Sequence, residues 1–180
     1  MLSRTIIATA VAVLAVFLCA PCSAVAQDRT YTSALKGQWD QIKAYVAKAA
    51  DQMPEDVYSF KPTPKIRSFG ELIAHVSDAS YGICALAVGD KSRSFGNAEK
   101  TLAKKADIQE ALKAAFAYCD AAFEKLNDET GKEIADLMGQ RTPRLLVLAF
   151  NTQHTWEHYG NIVTYFRLKD MVPPSSQRGM

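Results

Sequence analysis

The chain has 180 residues, 48% of them hydrophobic, 22% charged and 9% aromatic, which excludes a disordered, collagen-like or disulfide-dense polypeptide and leaves room for one domain. Its 21 Lys and Arg stand against 19 Asp and Glu, and a net charge of +2 gives no basic face for a nucleic acid.

Residues 1–26 read as a secretory signal peptide. Arg4 supplies the positive start, Ile6 to Ala20 is an uncharged apolar run, and Ala24-Val25-Ala26 is a small-x-small cleavage site. The run falls short of the ~20 residues a membrane span needs. A lipid anchor at Cys19 or Cys22 is disfavoured, because Leu18 and Pro21 precede them rather than a small residue. Cleavage after Ala26 leaves one domain, residues 27–180, without Arg4 and without a stable membrane span, in the periplasm or the medium. An uncleaved anchor is the alternative. Cys84 and Cys119 survive cleavage. In an oxidising compartment they can form one disulfide if their Cα atoms come within ~7 Å, and otherwise they are two small buried apolar residues.

Four amphipathic helices follow in chain order. Over Thr32–Met53, Leu35, Trp39, Ile42, Val46, Ala49 and Met53 make one apolar stripe, and Pro54 ends it. Over Ser68–Val88, Ser68 and Glu71 form a capping box, Leu72, His75, Ala79, Gly82 and Leu86 share a face, and Gly89 marks the stop. Over Asp107–Leu126, Asp107 and Glu110 suit a capped start, with Leu112, Ala115, Phe116, Cys119, Phe123 and Leu126 as the stripe. Over Pro143–Lys169, Thr142 suits the N-cap and Pro143 the first helical position. The inner face there reads Val147, Phe150, Asn151, His154, His158, Asn161, Ile162 and Tyr165.

No run shows the sustained alternation of a strand. The expected fold is therefore an all-α four-helix bundle. Its connections, Pro54–Arg67, Gly89–Ala106 and Asn127–Arg141, exceed the roughly 2–8 residues usual between bundle helices and allow crossovers or a lid. Trp39, Phe116, Phe123 and Phe150 are expected in the core. Lys91, Arg93, Lys100, Lys104 and Lys105 are expected as a solvated basic surface. The tail Pro173–Gly179 is expected to stop the last helix and fray.

The chain has three histidines. His154 and His158, at i and i+4, can both reach one metal ion from one helix face. His75 lies on the apolar stripe of another helix. Three neutral imidazoles facing one another across a bundle would hold a divalent metal with positions left open, so that a water activated by the metal could serve as nucleophile or base. Asn151, Asn161 and Tyr165 are candidates for the surrounding shell. Asp78 and Glu157 are candidates for a fourth ligand, an outer acceptor or a proton shuttle. Cys84 is not a candidate: at about 100° per residue it faces away from His75.

Other readings of the same residues stay open. One is a non-catalytic metal- or small-ligand-binding bundle, since three histidines also hold metal in carriers and structural sites, and a fourth protein ligand would favour it; another is a structural or interaction domain whose histidines bind nothing. The string His154-Thr155-Trp156-Glu157-His158 fits the H-x-x-E-H protease signature. No glutamate follows His158, and Glu157 points about 100° away from it, which argues against that chemistry.

The stretches Pro54–Pro64 and Arg67–Val76, together with His154–Arg167 and Val172–Ser176, resemble the opening and close of the DinB/YfiT-like superfamily. The order is specific: one histidine on the second helix, then an H-x-x-x-H pair on the fourth. The resemblance implies a four-helix bundle with a three-histidine site for zinc or nickel, and the ligand role falls on His75, His154 and His158. It also implies, for members with assigned activity, thiol-dependent transferase or isomerase chemistry, many members having no assigned reaction; the metal site itself is open to either hydrolysis or group transfer on a small molecule. Family members with assigned activity use low-molecular-weight thiols such as bacillithiol or mycothiol, which are mainly cytosolic, so an exported member sits apart from them. A homodimer is open to such a bundle, though no residue selects one.

Overall fold

The computed structural model describes residues 30–177, and the expected signal peptide, Cys19, Cys22 and residues 178–180 lie outside it. Five helices run in the order α1 (Thr30–Gln52), α2 (Phe69–Val88), α3 (Ala98–Thr101), α4 (Lys105–Lys125) and α5 (Arg144–Leu168), with a hairpin of β1 (Ile134–Leu137) and β2 (Gln140–Pro143) before α5. The four long helices form the expected bundle. Helix α2 packs on α4 and α5, and α1 packs on the same two, which sets α1 and α2 on a diagonal. A diagonal step has to cross the end of the bundle, and the long connection 53–68 does so.

Local chemistry sets the ends of α2. The Ser68 hydroxyl accepts from Glu71 N–H at 3.1 Å and the Glu71 carboxylate accepts from Ser68 N–H at 2.6 Å, the predicted capping box. Gly89 ends the helix at φ 69°, where a side chain would be strained. In the core, the Trp39 ring meets Phe116 edge-on at 5.2 Å and stacks on Phe123 at 6.2 Å, while its indole N–H donates to Asp120 at 2.8 Å. Cys84 of α2 and Cys119 of α4 are joined in a disulfide with Cα atoms 5.4 Å apart. Of the two states the sequence leaves open, the bridged one is present.

Several expectations are corrected. The hairpin was not anticipated: its strands are four residues each, too short for alternation to show. It closes through Met138 (φ 53°) and Gly139 (φ 86°), two successive left-handed residues, with the Asp136 carboxylate accepting from Gly139 N–H at 2.6 Å. Because Pro143 pairs with Ile134 in that hairpin, α5 begins one residue later, and Thr142 is a strand residue rather than the cap. Helix α4 starts at Lys105, ahead of Asp107, with no side-chain cap. Lys105 is not free on the surface: its ammonium donates to the carbonyls of Asp51 and Met53 at 2.7 and 2.8 Å, tying down the end of α1. The described part of the tail is docked, with Pro174 buried and Ser175 N–H on the Tyr159 hydroxyl at 2.8 Å.

Two stability measurements follow. Replacing Cys84 and Cys119 together by serine opens a link spanning 35 residues and should lower unfolding stability by about 2–5 kcal/mol in denaturant titrations. Ser68→Ala should cost about 1 kcal/mol in the same assay, as loss of an N-cap does.

Candidate metal centre

Helices α2 and α5 face each other, and their contact carries all three histidines. His75 projects from α2. His154 and His158 project one turn apart from α5, with their Nε2 atoms 3.0 Å from each other. The His75 ring lies 5.4 Å from the His154 ring and 4.7 Å from the His158 ring, edge-on to the latter. One ligand nitrogen from each of the three lies within 4.8 Å of the others. Two nitrogens on one tetrahedral zinc are about 3.3 Å apart, given Zn–N distances of ~2.0–2.1 Å. The group could hold a metal ion after a small closing movement. Among the described residues it contains no fourth His, Cys, Asp or Glu.

The electrostatics disfavour protonation of His154 and His158. Burial pushes His158 down to about 4, and the neighbouring His154, His75 and Arg67 oppose its protonation further. His154 is lowered by burial and then by His75, with Glu157 opposing the shift. Neutral imidazoles are the form that binds metals.

The linings of two cavities meet at the histidines. One, of about 600 Å³, is lined by His158 together with Lys65, Arg67, Asn161, Thr164 and Tyr165. The other, of about 300 Å³, reaches His75 and His154 and has apolar walls that include Ala79, Ile83, Phe95 and Phe150. Phe150 is therefore half-buried beside the site, its ring 6.2 Å from His154, as well as packed on the core.

The other candidates divide. Tyr165 lines the larger cavity and its hydroxyl donates to the carbonyl of Arg67. Asn161 is exposed at the same cavity, its amide on the carbonyl of Glu157 at 3.3 Å. Glu157 is exposed on its rim and outside the histidine cluster. Asn151 is fully buried one turn deeper, its amide 3.6 Å from Cys119 Sγ, and lines neither cavity. Asp78 spends both carboxylate oxygens on the backbone N–H groups of Ala98 and Glu99, each at 2.9 Å. It caps α3 rather than joining the cluster.

Two residues escaped the sequence analysis. Glu99 of α3 places Oε2 at 2.9 Å from His75 Nδ1, and Arg67 places Nε at 2.7 Å from Glu99 Oε1. Burial pushes the Glu99 carboxyl up, but the bonds from Arg67 and His75 prevail and hold it below the usual range. Glu99 belongs to no periodic face, so no pattern marks it. Arg67 carries the one available signal, its place directly before the Ser68 cap.

A four-helix bundle with histidines converging from its second and last long helices defines a recognisable class. The DinB superfamily model matches residues 38–162, and the chain belongs to that superfamily. The fold is similar to that of a DinB-like protein from Bacillus cereus ATCC 10987 at 17% identity and a TM-score of 0.68, covering 79% of this chain and 95% of that one. It is similar also to the DinB-like protein YjoA from Bacillus subtilis at 19% identity and a TM-score of 0.63, covering 81% and 99%. No curated protein matches.

His75→Ala and His154→Ala each remove one of three converging ligands. Each should weaken zinc binding by more than the ~10–100-fold typical of changes around a site, read by competition titration. Affinity within a few fold of wild type in both variants would rule out shared coordination.

Proposed function

We propose that the protein is an exported metal-dependent enzyme, in which His75, His154 and His158 hold one divalent cation, zinc or nickel, for hydrolysis or group transfer on a small molecule. One observation carries this reading: three imidazoles converge within 4.8 Å where the linings of two cavities meet. Three protein ligands leave coordination positions open to a substrate. A cation held there supplies Lewis-acid polarisation and a nucleophile at neutral pH.

The chain's own residues supply the rest. A cavity of about 600 Å³ suits a small molecule, and Arg67, Lys65, Asn161 and Thr164 offer it polar contacts. Asn161 and Glu157 stand at the rim, where Asn161 can orient a substrate and Glu157 can accept a hydrogen bond or a proton. The second cavity brings apolar walls up to His75 and His154. Export is supported by the leader pattern of residues 1–26 and by the Cys84–Cys119 bridge, since disulfides persist in oxidising compartments. The alternative is a non-catalytic metal- or small-ligand-binding bundle, which a fourth protein ligand would favour; the cluster among the described residues holds three.

Elemental analysis of protein purified without a histidine tag tests the reading, beside a His154→Ala/His158→Ala control. About one zinc or nickel per chain, absent from the control, is the expected result. Metal should also raise the melting temperature: free cation at 100 times its Kd contributes about 2.7 kcal/mol. In the cobalt-loaded protein, azide should shift the visible spectrum if a position is open. Wild type that takes up no metal from divalent salts refutes the proposal, and a spectrum indifferent to azide favours the closed, non-catalytic site.

A further inference from the structure

The two side chains that reach His75 Nδ1 make opposite demands on it. Glu99 Oε2 lies 2.9 Å away and Arg67 Nη2 lies 3.3 Å away. A carboxylate can only accept a hydrogen bond and a guanidinium can only donate one. A neutral imidazole nitrogen carries either a proton or a lone pair, so both contacts cannot be hydrogen bonds at once. The shorter contact is to the carboxylate, and Arg67 already donates its Nε–H to the other Glu99 oxygen at 2.7 Å. The consistent arrangement is a chain in which Arg67 donates to Glu99 and His75 Nδ1–H donates to Glu99. The lone pair of His75 is then on Nε2.

We propose that Glu99 is a positioning residue of the metal centre: clamped by Arg67, it holds His75 as the Nδ1–H tautomer and thereby presents Nε2 to the cation. This inference rests on the metal reading proposed above. The other two histidines have no such support, since the Nδ1 atoms of His154 and His158 are buried without a hydrogen-bond partner among the described residues. His75 is therefore the ligand whose orientation is set from outside the cluster.

The carboxylate is delivered by a built frame. Asp78, one turn along α2 from His75, fixes the Glu99 backbone N–H at 2.9 Å. The chain before α3 lies so close to Asp78 that a Cβ on Gly96 would come within 2.1 Å of its carboxylate oxygen. Arg67 is fixed in turn, its carbonyl bonded by the Tyr165 hydroxyl of α5. The frame thus ties the connection 89–104, the start of α2 and helix α5 to one imidazole. A surface ion pair between Arg67 and Glu99 would explain their own contact but not the carboxylate oxygen turned to His75.

The test compares wild type, Glu99→Gln and Glu99→Ala by two readouts. In metal-free protein, nitrogen–proton correlation spectra of the histidine rings report each tautomer directly. The expected result is His75 as Nδ1–H in wild type, a mixture of tautomers in Glu99→Ala, and an intermediate state in Glu99→Gln, which keeps an acceptor but loses the charge. In zinc competition titrations, Glu99→Ala should bind 10–100-fold more weakly and Glu99→Gln less weakened than that. A role in stability alone would lower the melting temperature and leave both readouts unmoved. His75 found as Nε2–H in wild type, or a folded Glu99→Ala with unchanged tautomer and zinc affinity, overturns the inference. Should Glu99→Ala fail to fold, the same criteria apply to the isosteric Glu99→Gln. Wild type that binds no zinc refutes the metal reading instead, and the tautomer spectra still decide what Glu99 does to His75.

Discussion

Burial of α2 on nearly every side is the constraint on which the rest of this structure depends. The helix is covered by α4, α5, α3 and the hairpin, and most of its residues are buried. A polar side chain in such a place costs stability unless it finds a partner. Two polar residues one turn apart, His75 and Asp78, are given partners by the connection 89–104. Asp78 takes up two backbone N–H groups of α3, and His75 takes up the carboxylate that α3 carries. The connection is long because it must return across the α2 surface to deliver these groups.

The same burial shapes the electrostatics at the seam with α5. Three imidazoles and the Arg67 guanidinium lie together, with the Glu99 and Glu157 carboxylates at the edge. Protonating His154 or His158 would place a second positive charge beside Arg67, on rings that burial already disfavours charging. Imidazole nitrogens directed at one another can offer a cation electron pairs without adding negative charge. That donor set suits zinc, nickel, copper and iron alike, and supply decides among them.

The fold was largely legible because it rests on periodicity and on end signals. Leu35 to Met53 repeats every three or four residues, and Ser68, Glu71 and Gly89 bracket α2 as their chemistry requires. Where two local rules competed, the sequence misled. Thr142-Pro143 suits a helix start, but Pro143 is claimed by its pairing with Ile134, and strands of four residues are too short to show their alternation. The histidines were legible too, because i and i+4 on one helix is a local relation and His75 sat on an apolar stripe. Asn151 shared that stripe and still faced Cys119, since residues on one face are separated along the helix axis as well as around it.

By itself, the sequence determined the helical class, the capped ends of α2, the placing of all three histidines on inward faces and the membership of their order in a known superfamily. All but the last follow from relations between residues a few positions apart; the superfamily order is a resemblance carried by motifs at the two ends of the domain. The tertiary structure decided that Cys84 and Cys119 are bridged, that Asp78 caps α3 instead of joining the site, and that Glu99 and Arg67 attend His75. Those facts depend on where a long connection lands. Along its path lie part-buried polar groups that meet in space and are far apart along the chain, and no local pattern records it.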